Sequence, residues 1–298
     1  MNLHVPFLGG AFALLCLPAL TQTQQVLFET TDGLSNTPAS AGDVNGDGVN
    51  DILRGTSLWD PVLQVVNGSA SCYSGADGSL LWQVDSNEPD DNYGYPLAGI
   101  GDINGDGLDD VMIGARGATA TGGLLNAGRV YLLSGFDGST IRFHEGGIAN
   151  DYFGYALDGV GDANGDGVPD YAVGAPNAAV LGSTFQGRVY LYSGADGSVL
   201  WQHSGYFTPG SPQLGHSVAG AGDVDNDGHN DVVVGSPTFG VGRAIVYSGL
   251  TGLIIHSVPG SPTSYGFGHR VSGLKDVNGD GHDDFMASSP YFTTPGIT

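Results

Sequence analysis

The chain has 298 residues, 40% of them hydrophobic, so it is long and apolar enough to bury a sizeable core. It carries 8 Lys and Arg against 31 Asp and Glu, a net charge of −23, and Lys275 is its one lysine. That balance leaves no basic patch for a phosphate backbone, so no nucleic acid is expected as a partner.

Residues 1–28 contain no Lys, Arg, Asp or Glu, and Val5 to Leu20 is an apolar run of 16. A membrane span needs about 20 such residues, so the run suits the hydrophobic region of a secretory leader instead. A signal peptide is expected over residues 1–23, with cleavage between Ala19 and Gln25, and no later stretch reaches the length of a transmembrane span. The protein is therefore expected to be secreted or held at the cell surface. Cys16 falls in the leader, which leaves Cys72 alone and no disulfide framework; Cys72 reads as a buried strand residue.

Residues 24–298 read as strand and turn throughout, an all-β domain with no segment of helical period. Val26-Leu27-Phe28 is expected to be a lone outer strand. The unit that follows repeats, and its third copy shows it best. Phe153 to Leu157 leads through Gly159-Val160-Gly161 into an acidic loop. Tyr171-Ala172-Val173 is the next strand, closed by Gly174-Ala175-Pro176. Gly187 to Gly194 is a third, rich in β-branched and aromatic residues; Ala195-Asp196-Gly197 turns, and Val199-Leu200-Trp201 is a fourth. Gly128-Arg129-Val130-Tyr131 and Gly242-Arg243-Ala244-Ile245 repeat the third strand, and Leu80-Leu81-Trp82 repeats the fourth. Four strands in about 60 residues, repeated along a chain, is the pattern of β-propeller blades. The fifth unit reaches Thr298 without a third strand, so the five repeats are expected to be a fragment of a larger ring, because an unpaired blade exposes sheet edges.

Between the first and second strands of every unit stands D-x-[DN]-x-D-G-x-x-D, at residues 43–51, 102–110, 162–170, 223–231 and 276–284. The starts are 59, 60, 61 and 53 residues apart, a true repeat. Calcium takes roughly 6–8 oxygen ligands at about 2.3–2.6 Å, and the loop offers them at alternate positions. Position 1 is Asp43, Asp102, Asp162, Asp223 and Asp276; position 3 is Asn45, Asn104, Asn164, Asp225 and Asn278. Position 5 is Asp47, Asp106, Asp166, Asp227 and Asp280, and position 9 is Asp51, Asp110, Asp170, Asp231 and Asp284. Val49, Leu108, Val168, His229 and His282 at position 7 are expected to offer the main-chain carbonyl, with the two histidine side chains facing solvent. Position 6 is always glycine, which a chain wrapping sharply around one point requires. An EF-hand needs Glu at position 12, where Arg54 and Ile113 stand, so that reading fails. Strand-like runs follow at once, so each loop joins two strands. Magnesium keeps several waters and suits such full cages less well. Up to five Ca2+ ions are expected, against the alternative of plain Asn/Gly/Asp turns. The ligand positions hold 16 of the 31 acids, and five divalent ions would bring −23 to −13, so the acidity is local metal chemistry and not a solvating tail.

Phe153-Gly154 and Gly174-Ala175-Pro176 around an acidic loop resemble the FG-GAP repeat. Phe267-Gly268 keeps the first pair, Tyr93-Gly94 and Leu214-Gly215 vary it, and the first unit lacks it. Gly235-Ser236-Pro237 and Gly114-Ala115-Arg116 vary the second piece. The resemblance covers residues from about 25 to 298. It implies the seven-bladed propeller fold of integrin α N-terminal domains, with calcium in the loops on one rim and ligands met at the other. Integrin-like ligand binding itself is not implied.

No constellation for bond making emerges. The eight histidines show no H-E-x-x-H spacing, and Gly215 to Gly220 around Ser217 is not a nucleophile elbow. Gly99-x-Gly101 runs into an acidic loop that would repel a phosphate. Arg129, Arg188 and Arg243 recur at one place in the repeat and are expected to pair with neighbouring carboxylates. Asn67-Gly68-Ser69 fits a glycosylation sequon. The expected function is a calcium-binding adhesion or binding module for an extracellular protein or carbohydrate ligand. The alternatives are a polysaccharide- or lipid-active enzyme on the same scaffold, or a non-catalytic domain of a larger surface protein. The mark of the enzyme would be Tyr, His, Arg or Lys side chains converging on one face, with Tyr152, Tyr155 and Tyr206 available.

Overall fold

The computed structural model describes residues 12–16, 25–30, 38–60, 65–179, 186–205, 212–237, 241–262 and 264–292. Every regular element among them is a strand. β1 (Phe12–Cys16) and β2 (Gln25–Thr30) form an antiparallel pair, so the strand expected at Val26–Phe28 exists but is not alone. Four antiparallel sheets of four strands follow in strict chain order. Blade 1 is β3 (Ala39–Gly42), β4 (Asp51–Asp60), β5 (Val65–Tyr73) and β6 (Leu80–Asp85). Blade 2 is β7 (Tyr93–Gly101), β8 (Asp110–Ala115), β9 (Arg129–Leu133) and β10 (Thr140–Glu145). Blade 3 is β11 (Ala156–Gly161), β12 (Asp170–Ala175), β13 (Arg188–Tyr192) and β14 (Val199–Ser204). Blade 4 is β15 (Ser217–Gly222), β16 (Asp231–Ser236), β17 (Arg243–Tyr247) and β18 (Ile254–Pro259). A fifth begins with the pair β20 (Arg270–Gly273) and β21 (Phe285–Ser288), flanked by β19 (Ser264–Tyr265) and β22 (Tyr291–Phe292). The first strands of successive blades lie against one another, which is the β-propeller arrangement.

The burial pattern follows. The second strands β8, β12 and β16 are buried at all six residues, as strands covered on both faces by neighbouring blades must be, and they read as apolar runs. The hydrophobic core is accordingly four clusters, one between each pair of adjacent blades. Cys72 is fully buried and free, and burial pushes its thiol up to about 12.

Two contacts stitch the blades. A Cβ on Gly174 would fall 2.0 Å from the Gly215 carbonyl oxygen, and on Gly235 it would fall 1.9 Å from that of Gly268. The glycine of the Gly-Ala-Pro place thus touches the glycine of the next blade's Phe-Gly place, backbone to backbone, and only glycine fits there. The second stitch is outside. Trp82 Nε1–H donates to the Gly135 carbonyl of blade 2 at 2.6 Å, and Trp201 Nε1–H to Gly249 of blade 4 at 2.9 Å. Blade 2 puts Arg142 in that place, and it donates to the Ala195 carbonyl at 3.2 Å.

Candidate functional site

Each acidic loop closes on its own backbone. In the second, Asp102 accepts from Gly105 N–H at 2.6 Å and Gly107 N–H at 2.8 Å, one on each oxygen. Asn104 Oδ1 accepts from Asp106 N–H at 2.8 Å, and Asp106 Oδ1 from Leu108 N–H at 2.9 Å. The first, third and fifth loops repeat these bonds. The turning main chain therefore holds positions 1, 3 and 5 together on the exposed side. In the fourth loop the position 1, 3 and 5 residues are Asp223, Asp225 and Asp227, and a carboxylate oxygen from each lies within 4.8 Å of the others. In the second and third, Asn104 Nδ2 and Asn164 Nδ2 lie 3.0 and 2.9 Å from Asp106 and Asp166 Oδ2, so position 3 sits beside position 5 there too.

Position 9 lies behind them. Asp51, Asp110, Asp170 and Asp231 are at most 1% exposed. Asp110 accepts from Ile103 N–H at 3.0 Å, Asn104 N–H at 3.2 Å and Gly135 N–H at 3.1 Å. Burial raises the Asp110 and Asp231 carboxyls to about 6, against the pull of those amides, and moves Asp51 and Asp170 the same way. Asp284 in the fifth loop is half-buried and accepts from Val277 N–H at 2.9 Å.

Sequence reasoning missed a partner here. Gly75, Gly135, Gly194 and Gly249, in the turn between third and fourth strands, each donate N–H to the position 9 carboxylate of their own blade. A Cβ on any of them would fall 1.8 to 1.9 Å from the position 8 carbonyl oxygen. The signal was there: the Ser-Gly-x-x-Gly turn recurs in step with the loops.

Neighbouring loops are joined. Asp43 N–H donates to Asp109 Oδ2 at 2.8 Å, and Asp109 N–H returns to the Asp43 carbonyl at 3.2 Å. Asp223 and Asp283 make the same pair. The position 7 histidines lean on the preceding loop: His282 remains exposed as expected, whereas His229 is half-buried. His282 Nδ1 is 2.9 Å from the Val224 carbonyl, and His229 lies over Gly165. Apart from the amide nitrogens of the position 3 asparagines, which are not metal ligands, the side-chain groups gathered at positions 1, 3 and 5 offer oxygen, the donor that a hard divalent cation prefers.

The opposite end of the blades carries a different group. Arg116 Cζ is 5.0 Å from the ring centroids of both Tyr95 and Tyr155. Tyr155 and His216 rings are 5.1 Å apart, and His216 and His269 rings 4.7 Å. Tyr206 lies outside the described residues. Among the described residues, only Arg129 of the three recurrent arginines forms ion pairs as expected, with Glu88 and Glu145. Arg188 donates to Ser204 and Tyr190 hydroxyls at 3.1 and 3.3 Å, and Arg243 to Ser257 at 2.7 Å, because no acid stands opposite them on the fourth strand. His144 and His203 are stacked inside the fold on Tyr192 and Tyr247.

The FG-GAP repeat family matches residues 97–133, 153–192, 214–247 and 267–297. Integrin alpha-V of Gallus gallus is 32% identical over 242 residues, 72% of this chain and 22% of that protein. Integrin alpha-5 of Xenopus laevis is 29% identical over 248 residues, 79% of this chain and 22% of that protein. The chain thus spans about a fifth of the length of these curated relatives. A solved rhamnogalacturonan lyase superposes with a TM-score of 0.48 at 18% identity, covering 76% of this chain and 44% of that one. The first three family matches end at Leu133, Tyr192 and Tyr247, the last residues of three successive third strands, and with repeat and blade in one register the chain belongs to the FG-GAP repeat proteins.

Proposed function

We propose that the chain is a secreted or cell-surface β-propeller, stabilised by up to five calcium ions, that serves as a binding or adhesion module. The proposal takes residues 1–23 as a signal peptide and 24–298 as the mature propeller. The observation that carries it is the gathering of side-chain oxygens at positions 1, 3 and 5, tightest at Asp223, Asp225 and Asp227. Two unit charges about 4 Å apart repel by roughly 4 kcal/mol at an effective dielectric near 20, so such a set calls for a counter-cation. Asp, Asn and Asp at positions 1, 3 and 5 would hold it, with the position 7 carbonyl and the position 9 carboxylate completing the shell. Calcium there would supply a clip between the first two strands of each blade. The integrin alpha names of the relatives support an extracellular binding role, toward a protein or carbohydrate ligand. The test is metal content with calorimetric melting. About five calcium ions per chain, the number of loops, and a large fall in melting temperature on chelation are expected. A melting temperature unchanged after complete metal removal overturns the structural role.

One observation favours a second reading, an enzyme acting on polysaccharide or lipid. Tyr155, His216 and Arg116 do converge on one end, and the Tyr155 hydroxyl lies 3.4 Å from His216 Nε2. Release of unsaturated products from an acidic polysaccharide would favour that reading over binding alone.

A further inference from the structure

At the end away from the acidic loops, the residue after each Phe-Gly place leads into the innermost strand of its blade. In blades 2 to 5 these residues are Tyr95, Tyr155, His216 and His269. Arg116 stands where the other blades have Pro176, Pro237 and Pro290, and it joins the two tyrosines. Five side chains from four blades therefore form one continuous strip, stepping about 5 Å from group to group.

Several features separate this strip from ordinary packing. All five side chains are half-buried, so one side of the strip meets solvent. Arg116 makes no ion pair or hydrogen bond with any described residue, whereas Arg129 at the same end is bound by Glu88 and Glu145. Other acids at this end are engaged too: Asp91 accepts from Ser86, and Asp151 from Ala179 N–H at 3.4 Å. The π faces of two tyrosines hold the guanidinium, and its N–H edge is left for a planar acceptor with two oxygens.

Charge is distributed to match. Arg116, Arg129, Arg188, Arg243 and Arg270, five of the eight basic residues, sit at strand ends away from the acidic loops. Burial, with the neighbouring His269 next, holds His216 down to about 4, and burial lowers His269 as well. Burial thus favours the uncharged form of both rings; His216 Nε2 faces the Tyr155 hydroxyl, so the Tyr155–His216 pair and the His269 ring are the neutral hydrogen-bonding groups of the strip. The strip thus combines a single fixed cation, aromatic faces and neutral hydrogen-bonding groups. An acidic peptide can use the cation but offers neither hydroxyls nor flat ring faces to the neutral groups. A uronate-containing sugar chain offers a carboxylate together with hydroxyls and ring faces, the mixture that the strip presents.

We propose that the strip Tyr95–Arg116–Tyr155–His216–His269 binds an acidic saccharide, Arg116 taking a uronate carboxylate and the rings taking sugar faces and hydroxyls. The proposal rests on the reading of the chain as a binding module and not on calcium.

The test is calorimetric titration of the purified, calcium-loaded chain with a short oligogalacturonate, its methyl ester and a polyglutamate peptide. The oligogalacturonate binds, and the ester and the peptide bind at least about tenfold more weakly, the worth of a charged hydrogen-bonded pair. Arg116→Gln weakens the acid form about tenfold and leaves the ester unchanged. Arg116→Pro, which copies the other blades, gives the same loss in a chain whose melting temperature verifies the fold. Arg243→Gln, at the same end and off the strip, leaves binding unchanged. An affinity untouched by Arg116→Gln, an equal loss in Arg243→Gln, tighter binding of the peptide, or no binding of the oligogalacturonate overturns the proposal. Repeating the titration in chelator keeps the two readings apart: a metal-free chain that still binds the saccharide upholds the strip without calcium, while the melting series alone decides the structural role of the cation.

Discussion

At the scale of single residues, the loops use their acids in two ways. Position 5 is exposed and position 3 mostly so, and position 1 is half-buried beside them in the first four loops, whereas the position 9 carboxylate of those loops is fully buried and also accepts from main-chain amides of the loop and of the next turn. The sequence pattern D-x-[DN]-x-D-G-x-x-D shows all of these as acids or amides and hides the difference, because burial is set by the neighbouring blade. Asp158 is another residue whose meaning depends on place. It pairs with Ala172 on the inner strand, where other blades have Ala39, Ala98 and Ala219. Burial raises its carboxyl to about 6, opposed by the Gly220 N–H that donates to it at 3.1 Å. A folded-state pKa above the usual 3.8 means that the native state holds the proton more tightly than the unfolded one. Stability from this group is therefore present at low pH and lost as the pH rises through about 6. Asp158→Asn, which keeps an acceptor for Gly220, is expected to melt higher than the parent at pH near 7.5. The gap is expected to close below the usual carboxylate pKa. Calorimetric melting of both proteins across that range checks it, and a gap that does not change with pH refutes it.

At the scale of elements, most of the fold was legible. Period-two apolar runs, Gly-rich turns and a repeat near 60 residues place the strands of blades 2, 3 and 4 within a few residues of where they stand. The contacts between blades were less legible, since a strand's own pattern says that a face is covered but not by what. The Leu-Leu-Trp strands show this. Trp82 and Trp201 look alike in sequence, yet Trp82 is 7% exposed against Gly135 and Gly138, while Trp201 is half-buried. Trp82→Ala is expected to cost about 3–5 kcal/mol, the range for removing a large buried aromatic. Trp201→Ala is expected to cost less, because its ring already meets solvent. Urea unfolding of the two variants with saturating calcium measures both, and equal losses would mean that the outer stitch is not what Trp82 contributes. Arg142, in the same place on blade 2, reaches Ala195 with a guanidinium instead of an indole, so that interface trades apolar area for one hydrogen bond.

At the scale of the whole molecule, the repeat puts every acidic loop at one end of its blade, because each loop follows a first strand running the same way. Eighteen acids, Asp109 and Asp283 among them, therefore crowd one end of a chain whose net charge is −23. Joined loops bring them closer: the Asp43–Asp109 and Asp223–Asp283 bonds fix neighbouring anions side by side. Folding alone concentrates this charge, so the metal-free native state should suffer a repulsion that the unfolded chain largely escapes. The Debye length falls from about 30 Å at 0.01 M salt to about 3 Å at 1 M. Sodium chloride should therefore raise the melting temperature of the chelated protein steeply over that range. With calcium bound, about ten positive charges neutralise the same end, and the salt dependence should flatten. The comparison needs only two melting series, one in chelator and one in calcium. Parallel slopes would show that the loop charges do not set the stability of this end, and the clip role of the cation would fall with them. A steep slope that calcium flattens would show that the acids are tolerated for the ion they hold.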